Sequence, residues 1–213
     1  MSKKNILKLY KNNTKIEVGI DEAGRGSLIG RVYAATVIWN PELSEYENNL
    51  EKKINEIKDS KKLSKIKRKE LRDFIEEYAI DYGIGYVEND EIDSVNILNA
   101  TLIAMHKSLD ELTVIPDTIL VDGNYFKEYY INEKKIDYEC TIKGDDTYIS
   151  IAAASILAKV YHDEYIEQLC KNDEDLLKYD LLNNMGYGTK KHLRAIKDYG
   201  ISEYHRKSFK CCK

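Results

Sequence analysis

The chain lacks the sequence features of secreted, zinc-binding and membrane-spanning proteins. Its 213 residues include four cysteines, none of them in a Cys-x-x-Cys pair and two of them adjacent near the end. This spacing fits neither a zinc site nor a disulfide framework. No apolar run approaches the ~20 residues of a bilayer-spanning helix, and the polar first residues do not form a secretory signal. We therefore expect a cytoplasmic protein with reduced thiols and no membrane partner.

Internal repeats and low-complexity segments are also absent from the chain. The hydrophobic content of 43% is enough for one main domain with its own core. After the longest predicted helix the pattern becomes less regular, and the chain ends in a basic tail. We expect a main domain over residues 1–170 and a helical extension over residues 171–213 that packs on it.

Charge is distributed unevenly along the chain. The formal net charge of −4 predicts by itself neither a nucleic-acid partner nor a membrane partner. Residues 51–72 and 189–213, however, each carry a net charge of +6, which leaves −16 for the rest of the chain. This separation is expected if cationic surfaces flank an anionic metal-binding centre. The alternative is that the lysine-rich helix faces are simply solvated.

Strand and helix patterns follow one another as in an α/β domain. Runs of β-branched and aromatic residues predict two antiparallel neighbours and three further strands, at residues 16–20, 31–39, 82–87, 118–121 and 137–142. Apolar residues at helical spacing predict helices over residues 46–57, 64–78, 97–109, 147–169 and 190–199, with Ser64 as an N-cap. The order predicts a mixed five-stranded sheet with helices on its faces.

Carboxylates stand at or just after the ends of three predicted strands. Asp21 is followed directly by Glu22, Asp122 ends a nearly all-apolar run, and Asp145 comes one glycine after a further strand. Ligands of open α/β sheets collect at strand ends. Four carboxylates meeting there would repel one another unless cations neutralised them. For any single aspartate, a turn or cap role is the alternative.

Magnesium is the natural cation for such a cluster because it prefers oxygen ligands and keeps waters for a phosphate substrate. Two ions roughly 3.5–4 Å apart would activate a water on one side and stabilise the leaving 3′ oxygen on the other. Asp21 and Glu22 would point to opposite faces of a regular strand, so Glu22 is expected where the strand breaks. The glycines that follow, Gly24 and Gly26, leave backbone that a sugar-phosphate can approach.

Seven segments, in order from about residue 16 to residue 209, resemble ribonuclease HII. Any one of them would be weak support, but the set is highly specific. They are Asp21-Glu22-Ala23-Gly24-Arg25-Gly26 with Leu28-Ile29-Gly30, Asp59-Ser60-Lys61-Lys62-Leu63, Val121-Asp122-Gly123-Asn124, Lys143-Gly144-Asp145, Ala152-Ala153-Ala154-Ser155-Ile156-Leu157-Ala158-Lys159-Val160, Gly186-Tyr187-Gly188-Thr189-Lys190-Lys191-His192, and His205-Arg206-Lys207-Ser208-Phe209.

The resemblance implies an RNase H-like fold with a C-terminal helical extension and a monomeric, Mg²⁺- or Mn²⁺-dependent endoribonuclease. It implies hydrolysis of the RNA strand of RNA/DNA hybrids. It also implies cutting on the 5′ side of a single ribonucleotide embedded in duplex DNA, which leaves a 3′-hydroxyl and a 5′-phosphate and initiates ribonucleotide removal. A hybrid nuclease without this junction preference and a non-catalytic hybrid-binding module are the alternatives.

Residue roles follow from the same resemblance. The implied catalytic metal ligands are Asp21, Glu22, Asp122 and Asp145. The turn Gly24-Arg25-Gly26 would read the ribose 2′-hydroxyl through its backbone, and Tyr187 would pack against that ribose. This is physically reasonable because the 2′-hydroxyl is what distinguishes RNA from DNA locally.

Other positions have two interpretations each. Phosphate contacts are expected from Lys61, Lys62 and Lys159, although each could be an ordinary solvated lysine. Asp163 is the rival to Asp145 as the fourth carboxylate, with an ion pair on its helix face as the alternative role.

The chain departs from the usual pattern at three positions. Ser27 stands where proline is usual, Arg31 follows Gly30 where a smaller or neutral residue is common, and His162 stands where arginine is frequent. The first two put loop rigidity in doubt, not the chemistry. The related ribonuclease HIII type has threonine in the glycine turn and a long N-terminal domain. Here the turn contains Arg25, and about 15 residues precede the first predicted strand.

Overall fold

A mixed six-stranded sheet lies at the centre of the computed structural model, which describes residues 7–45, 48–58 and 60–213. The strands lie in the order β3-β2-β1-β4-β6-β5. Their bounds are β1 (Glu17–Ala23), β2 (Val32–Ile38), β3 (Asp81–Val87), β4 (Thr118–Asp122), β5 (Tyr129–Ile131) and β6 (Lys134–Thr141). Antiparallel pairs join β1 to β2, β2 to β3 and β5 to β6. Parallel pairs join β1 to β4 and β4 to β6. The predicted antiparallel pairing of the first two strands is therefore confirmed.

The sheet has one strand more than the sequence pattern predicts. The additional strand β5 has three residues and pairs only with β6, at the edge of the sheet. A tight turn connects the two strands, with Asn132 and Glu133 both at positive φ. Most of β6 is exposed, so it lacks the alternation of apolar residues by which a strand is recognised. This hairpin also explains why β6 begins three residues before the strand predicted at residues 137–142.

The five predicted helices lie close to their predicted positions, and the short helices α3 and α6 are additional. Their bounds are α1 (Asn48–Ile54), α2 (Lys65–Tyr78), α3 (Asn89–Val95), α4 (Ile97–Asp110), α5 (Ile149–Asn172), α6 (Leu181–Asn184) and α7 (Lys190–Tyr199). Short 3₁₀ segments cover Pro41–Glu45, Ser60–Lys62, Gly144–Asp146, Glu174–Tyr179 and Lys210–Cys212. The Ser64 side chain accepts a hydrogen bond from the Lys67 amide, 3.2 Å, which confirms the predicted N-cap. The first two residues of the helix predicted at 46–57 lie outside the described residues.

Helices cover both faces of the sheet. On one face α5 and α2 pack against β1 and β2, and on the other α3 and α4 pack against β2 and β3. The two glycines of β3 permit this second contact, because a Cβ at Gly83 would lie 2.0 Å from the Ser108 carbonyl and one at Gly85 2.1 Å from the Ala104 carbonyl. Among the described residues, no helix combines the length and apolar character needed to cross a bilayer.

The C-terminal segment returns to the loop between β1 and β2. Its own core joins apolar residues of the extension to the end of α5 and to the buried Ile29 of that loop. Isolated antiparallel bridges link Ser27 to Tyr187 and Ile29 to His205. Residues far apart in the chain therefore meet beside the end of β1.

Candidate active site

Asp21 and Asp122 lie where the parallel pairing of β1 with β4 ends. The last paired residues of β1 and β4 are Ile20 and Val121, and each aspartate follows directly. The backbone amide of Gly144 donates a 2.7 Å hydrogen bond to Oδ1 of Asp122. This bond brings the 3₁₀ turn that contains the buried Asp145 to the same end of the sheet. Three of the four predicted acids thus come from the end of the β1–β4 pairing or from the turn that is bonded to Asp122.

Asp21 is buried on the side of the sheet that α5 covers. Burial raises the pKa of Asp21 well above its usual range, and the nearby charges of Glu22 and Asp122 raise it further. Hydrogen bonds from the Ser155 hydroxyl and the Glu22 amide act in the opposite direction. The Ser155 Oγ also lies 2.9 Å from the Ser60 Oγ. Asp21 is therefore linked through two buried serines to the turn that contains Lys61 and Lys62.

Glu22 lies inside β1, so the prediction that the strand breaks there is wrong. The strand continues to Ala23 because β2 still pairs with it, whereas the pairing with β4 ends at Ile20. The edge of β1 that faces β4 is consequently open beside Glu22. Burial raises the pKa of Glu22, although a 3.0 Å ion pair with Arg25 opposes the shift.

The acids form an oxygen-rich site that is suited to divalent cations. Asp122 contributes to the raised pKa of both Asp21 and Glu22, so these three carboxylates lie within electrostatic reach of one another. In the part of the chain that the structure describes, no three Asp, Glu, His or Cys side chains already lie at metal-binding distance. Each of these three carboxylates accepts a hydrogen bond from a different partner. Buried carboxylates with raised pKa values and only oxygen donors fit Mg²⁺ or Mn²⁺.

The glycine turn after β1 has the geometry that glycine permits. Gly24 has φ of 87°, and its carbonyl accepts a 3.1 Å hydrogen bond from the Ser27 amide. A Cβ at Gly26 would lie 3.6 Å from the ring of Tyr187. The Leu28 amide also donates a 2.8 Å hydrogen bond to the Gly186 carbonyl. The structure thus brings the turn and Tyr187 into contact.

The three predicted phosphate-binding lysines lie near the acids but in different surroundings. The positive charge of Lys61 opposes the rise in the pKa of Glu22, so the Lys61 side chain lies near that carboxylate. Lys62 forms an ion pair with Asp146, next to Asp145. Lys159 donates a 2.7 Å hydrogen bond to Asp163, and its Nζ lies 5.0 Å from the centre of the Tyr187 ring. All three remain candidates for contacts with a phosphate backbone.

Asp163 is an ion-pair partner on α5. It accepts hydrogen bonds from Lys159, 2.7 Å, and His162, 3.1 Å, and lies 3.4 Å from Nη2 of Arg68. Burial opposes ionisation, yet the bonds from His162 and Lys159 hold the pKa of Asp163 below its usual range. A carboxylate already held by three basic groups is poorly placed to serve as the fourth metal ligand. Its geometry therefore favours the ion-pair role.

Sequence reasoning missed several residues that support the site. Arg206 is completely buried and bonds to the loop that contains the glycine turn. His162 is also completely buried, lies against Gly24, and has an Nε2 without a hydrogen-bond partner among the described residues. Ser155 ends an alanine run that identifies only close packing. Arg206 and Ser155 belong to recognised segments and His162 lies two residues after one, but nothing local distinguishes a buried supporting residue from an exposed one.

Comparison with solved structures identifies the class of fold. A ribonuclease H2 from Pyrococcus horikoshii superimposes with a TM-score of 0.70 at 25% identity, covering 92% of this chain and 94% of that one. The RNase HII of a PCNA:RNase HII complex from Archaeoglobus fulgidus has a TM-score of 0.66 at 25% identity, covering 92% and 95%. A Bst-RNase HIII solved with Mn²⁺ shares the fold at a TM-score of 0.68 and 21% identity, covering 97% and 69%. The fold is that of the ribonuclease H class of metal-dependent endoribonucleases.

Sequence comparison narrows the class to one family. Residues 18–212 match the family model described as Ribonuclease HII, and the chain belongs to that family. A ribonuclease HII of Christiangramia forsetii is 50% identical over 199 residues, which are 93% of this chain and 92% of the relative. One of Phocaeicola vulgatus is 44% identical over 200 residues, 94% of this chain and 92% of the relative. The family cleaves the RNA strand of RNA/DNA hybrids.

Proposed function

We propose that this enzyme cuts on the 5′ side of single ribonucleotides embedded in duplex DNA, in addition to the RNA strand of hybrids. The products are a 3′-hydroxyl and a 5′-phosphate, and the cut initiates removal of the ribonucleotide. The observation that carries this proposal is the contact of Tyr187 with Gly26 in the turn that follows Asp21 and Glu22. The groups proposed to recognise one ribose therefore lie next to the carboxylates proposed to hold the catalytic ions.

Two divalent ions, Mg²⁺ or Mn²⁺, held by Asp21, Glu22, Asp122 and Asp145, would supply water activation and charge stabilisation at the phosphate when bound. The raised pKa values of the buried Asp21 and Glu22 support this assignment, because such carboxylates gain stability from a cation. Glu22 would exchange its ion pair with Arg25 for this role.

The remaining residues bind and orient the nucleic acid. The backbone of Gly24, Arg25 and Gly26 would hydrogen-bond the 2′-hydroxyl, and the Tyr187 ring would pack on the same ribose. Deoxyribose lacks this hydroxyl, so the contact would discriminate the one ribonucleotide from its neighbours. Contacts from Lys61, Lys62 and Lys159 to the phosphates would add affinity without sequence preference.

The division of the chain follows from these roles. We propose that residues 1–170 form the catalytic domain and that residues 171–213 form an extension which contributes Tyr187. The enzyme is proposed to act as a monomer, since residues of one chain supply the acids, the turn and the tyrosine. Size-exclusion chromatography with light scattering tests this point directly.

A cleavage assay with end-labelled duplexes tests the function. With Mg²⁺, a DNA duplex containing one ribonucleotide should be cut once, on the 5′ side of that residue, and an all-DNA duplex should remain intact. Efficient cutting of long hybrids but not of the single-ribonucleotide duplex would indicate a hybrid nuclease without junction preference. Binding of both without cleavage at any divalent metal concentration would indicate a hybrid-binding module.

A further inference from the structure

The buried side chain of Arg206 forms hydrogen bonds with the loop between β1 and β2 from the interior of the protein. Its guanidinium donates hydrogen bonds to four backbone carbonyl oxygens, those of Gly30 (2.9 Å), Gly24 (2.8 Å), Arg25 (3.2 Å) and Arg31 (2.8 Å). The side chain has no exposed surface and is the largest completely buried side chain in the described part of the protein. The planar guanidinium holds its donors in a fixed arrangement, so these bonds also fix the carbonyls relative to one another.

The four carbonyls belong to the two ends of one loop. Gly24 and Arg25 begin the glycine turn, while Gly30 and Arg31 lead into β2. One side chain therefore ties the start of the loop to its end. Because the carbonyls of Gly24 and Arg25 are directed at Arg206, the orientation of their peptide groups is set from within the protein.

We propose that Arg206 is a positioning residue for ribose recognition, which acts by holding the peptide groups of the Gly24-Arg25-Gly26 turn in the orientation that reads the 2′-hydroxyl. This inference rests on the proposed function of that turn. Arg206 does not touch the nucleic acid, since it is completely buried.

Backbone contacts hold the segment around Arg206 against the same loop. The Arg206 amide donates a 2.9 Å hydrogen bond to the Leu28 carbonyl, and the Gly30 amide donates a 2.8 Å bond to the Tyr204 carbonyl. Asp93 at the end of α3 then accepts bonds from the amides of Lys207 and Ser208, 2.8 and 2.9 Å. The guanidinium is thus anchored from both sides.

The chemistry of the bonds favours a role beyond simple packing. In the described residues no carboxylate bonds to the Arg206 guanidinium, and its hydrogen bonds go to carbonyl oxygens. Burial lowers the pKa of Arg206 to about 10, which still leaves the group charged at neutral pH. A buried cation without an acid partner is costly for the fold. A methionine or leucine would avoid burying a charge, but it would leave the four carbonyls without these donors and could not align them.

A binding experiment separates positioning from general structural support. Affinity is measured, with Ca²⁺ replacing Mg²⁺ to prevent cleavage, for two duplexes that differ only in one ribonucleotide. The ratio of the two dissociation constants reports recognition of the 2′-hydroxyl. We call this ratio the ribonucleotide preference. R206K keeps the charge but cannot bond all four carbonyls, so the preference should fall about fivefold or more, the equivalent of one hydrogen bond. Affinity for the all-DNA duplex should stay within about twofold, because phosphate contacts dominate it.

The matched control is Y179F, which removes a 2.9 Å hydrogen bond from the buried Tyr179 hydroxyl to the Gly200 carbonyl. It perturbs the same extension without touching the glycine turn, so the preference should be unchanged. If R206K fails to fold, D93A loosens the segment while leaving the guanidinium in place, and it should lower the preference in the same direction.

The outcomes are distinct. An unchanged preference in R206K, or an equal loss of affinity for both duplexes, overturns the positioning role while leaving the proposed function intact. If the wild-type protein itself shows no preference, both the role of the turn in binding and this inference fail.

Discussion

The ring of Tyr187 faces Gly26, so that a Cβ added at that glycine would lie 3.6 Å from the ring. Although the two residues are far apart in the chain, an antiparallel bridge between Ser27 and Tyr187 holds them together. The contact unites the extension and the strand that carries Asp21 in one surface. The predictions below test the parts of that surface separately.

Replacement of Asp122 tests the acidic site. Asp122→Asn preserves the volume of the side chain and removes one negative charge, so cation affinity at the strand ends should fall sharply. We expect kcat to drop by about three orders of magnitude while the fold and duplex binding remain. Steady-state cleavage and circular dichroism provide the measurements. Asp137→Asn is the control, since Asp137 is exposed at the opposite end of the sheet. Full activity of Asp122→Asn would exclude the metal assignment.

Truncation of Tyr187 tests ribose reading. Tyr187→Ala should reduce kcat/KM about tenfold on a duplex with a single ribonucleotide, and less on a long hybrid, where neighbouring riboses offer alternative registers. Tyr187→Phe should retain most activity because the ring supplies the contact. Tyr199→Ala, which removes an exposed tyrosine of α7, is the control. Equal losses on both substrates would show that Tyr187 does not read the junction.

Two alanine substitutions in the glycine turn have different expected effects: one hinders the approach of the substrate to the backbone, and the other lowers the free energy of unfolding. Gly26→Ala meets only ordinary contacts, so the melting temperature should hardly change, yet the added methyl group narrows the approach to the backbone and should lower cleavage. Gly24→Ala places a Cβ 2.4 Å from His162 at φ of 87°. It should cost roughly 1–3 kcal/mol of unfolding free energy from backbone strain alone. Urea unfolding and cleavage rates of both variants check this contrast, and a fully active Gly26→Ala would contradict it.

Two buried histidines of the C-terminal segment, His192 and His205, should make stability sensitive to acid. Burial and the neighbouring His192 lower the pKa of His205 to about 4, and burial also lowers the pKa of His192. In the unfolded chain these histidines have their ordinary pKa of about 6.5. Between about pH 6.5 and 4 the unfolded chain therefore binds more protons than the folded chain does. The free energy of unfolding should therefore decrease as pH falls from about 6.5 towards 4.

Urea titrations at several pH values measure this effect. His205→Asn should flatten the pH dependence between about 6.5 and 4, because one group that titrates differently in the two states is removed. An unchanged slope in His205→Asn would assign the acid sensitivity to other groups.

The main elements of the fold could be predicted because their signals are local. The N-cap at Ser64 and the apolar run before Asp122 depend on residues within one or two turns of chain. The edge strand β5 could not be recognised in this way, since three residues in an exposed hairpin bury little apolar surface. The predicted strand break at Glu22 is wrong for a related reason. β2 pairs with β1 as far as Ala23, three residues beyond the last residue that pairs with β4, and pairing between strands is not a local property of the sequence.

By itself, the sequence determined the chemistry available to this protein. It specified where carboxylates lie along the chain, where glycines leave backbone exposed, and which ordered set of segments the chain shares with ribonuclease HII. Only the tertiary structure decided which of these groups meet. It placed Asp163 among basic partners, brought Tyr187 to Gly26, and buried Arg206 beneath the turn. The physical reason is that residue type and spacing govern local conformation, whereas contacts between distant segments depend on how complete elements pack.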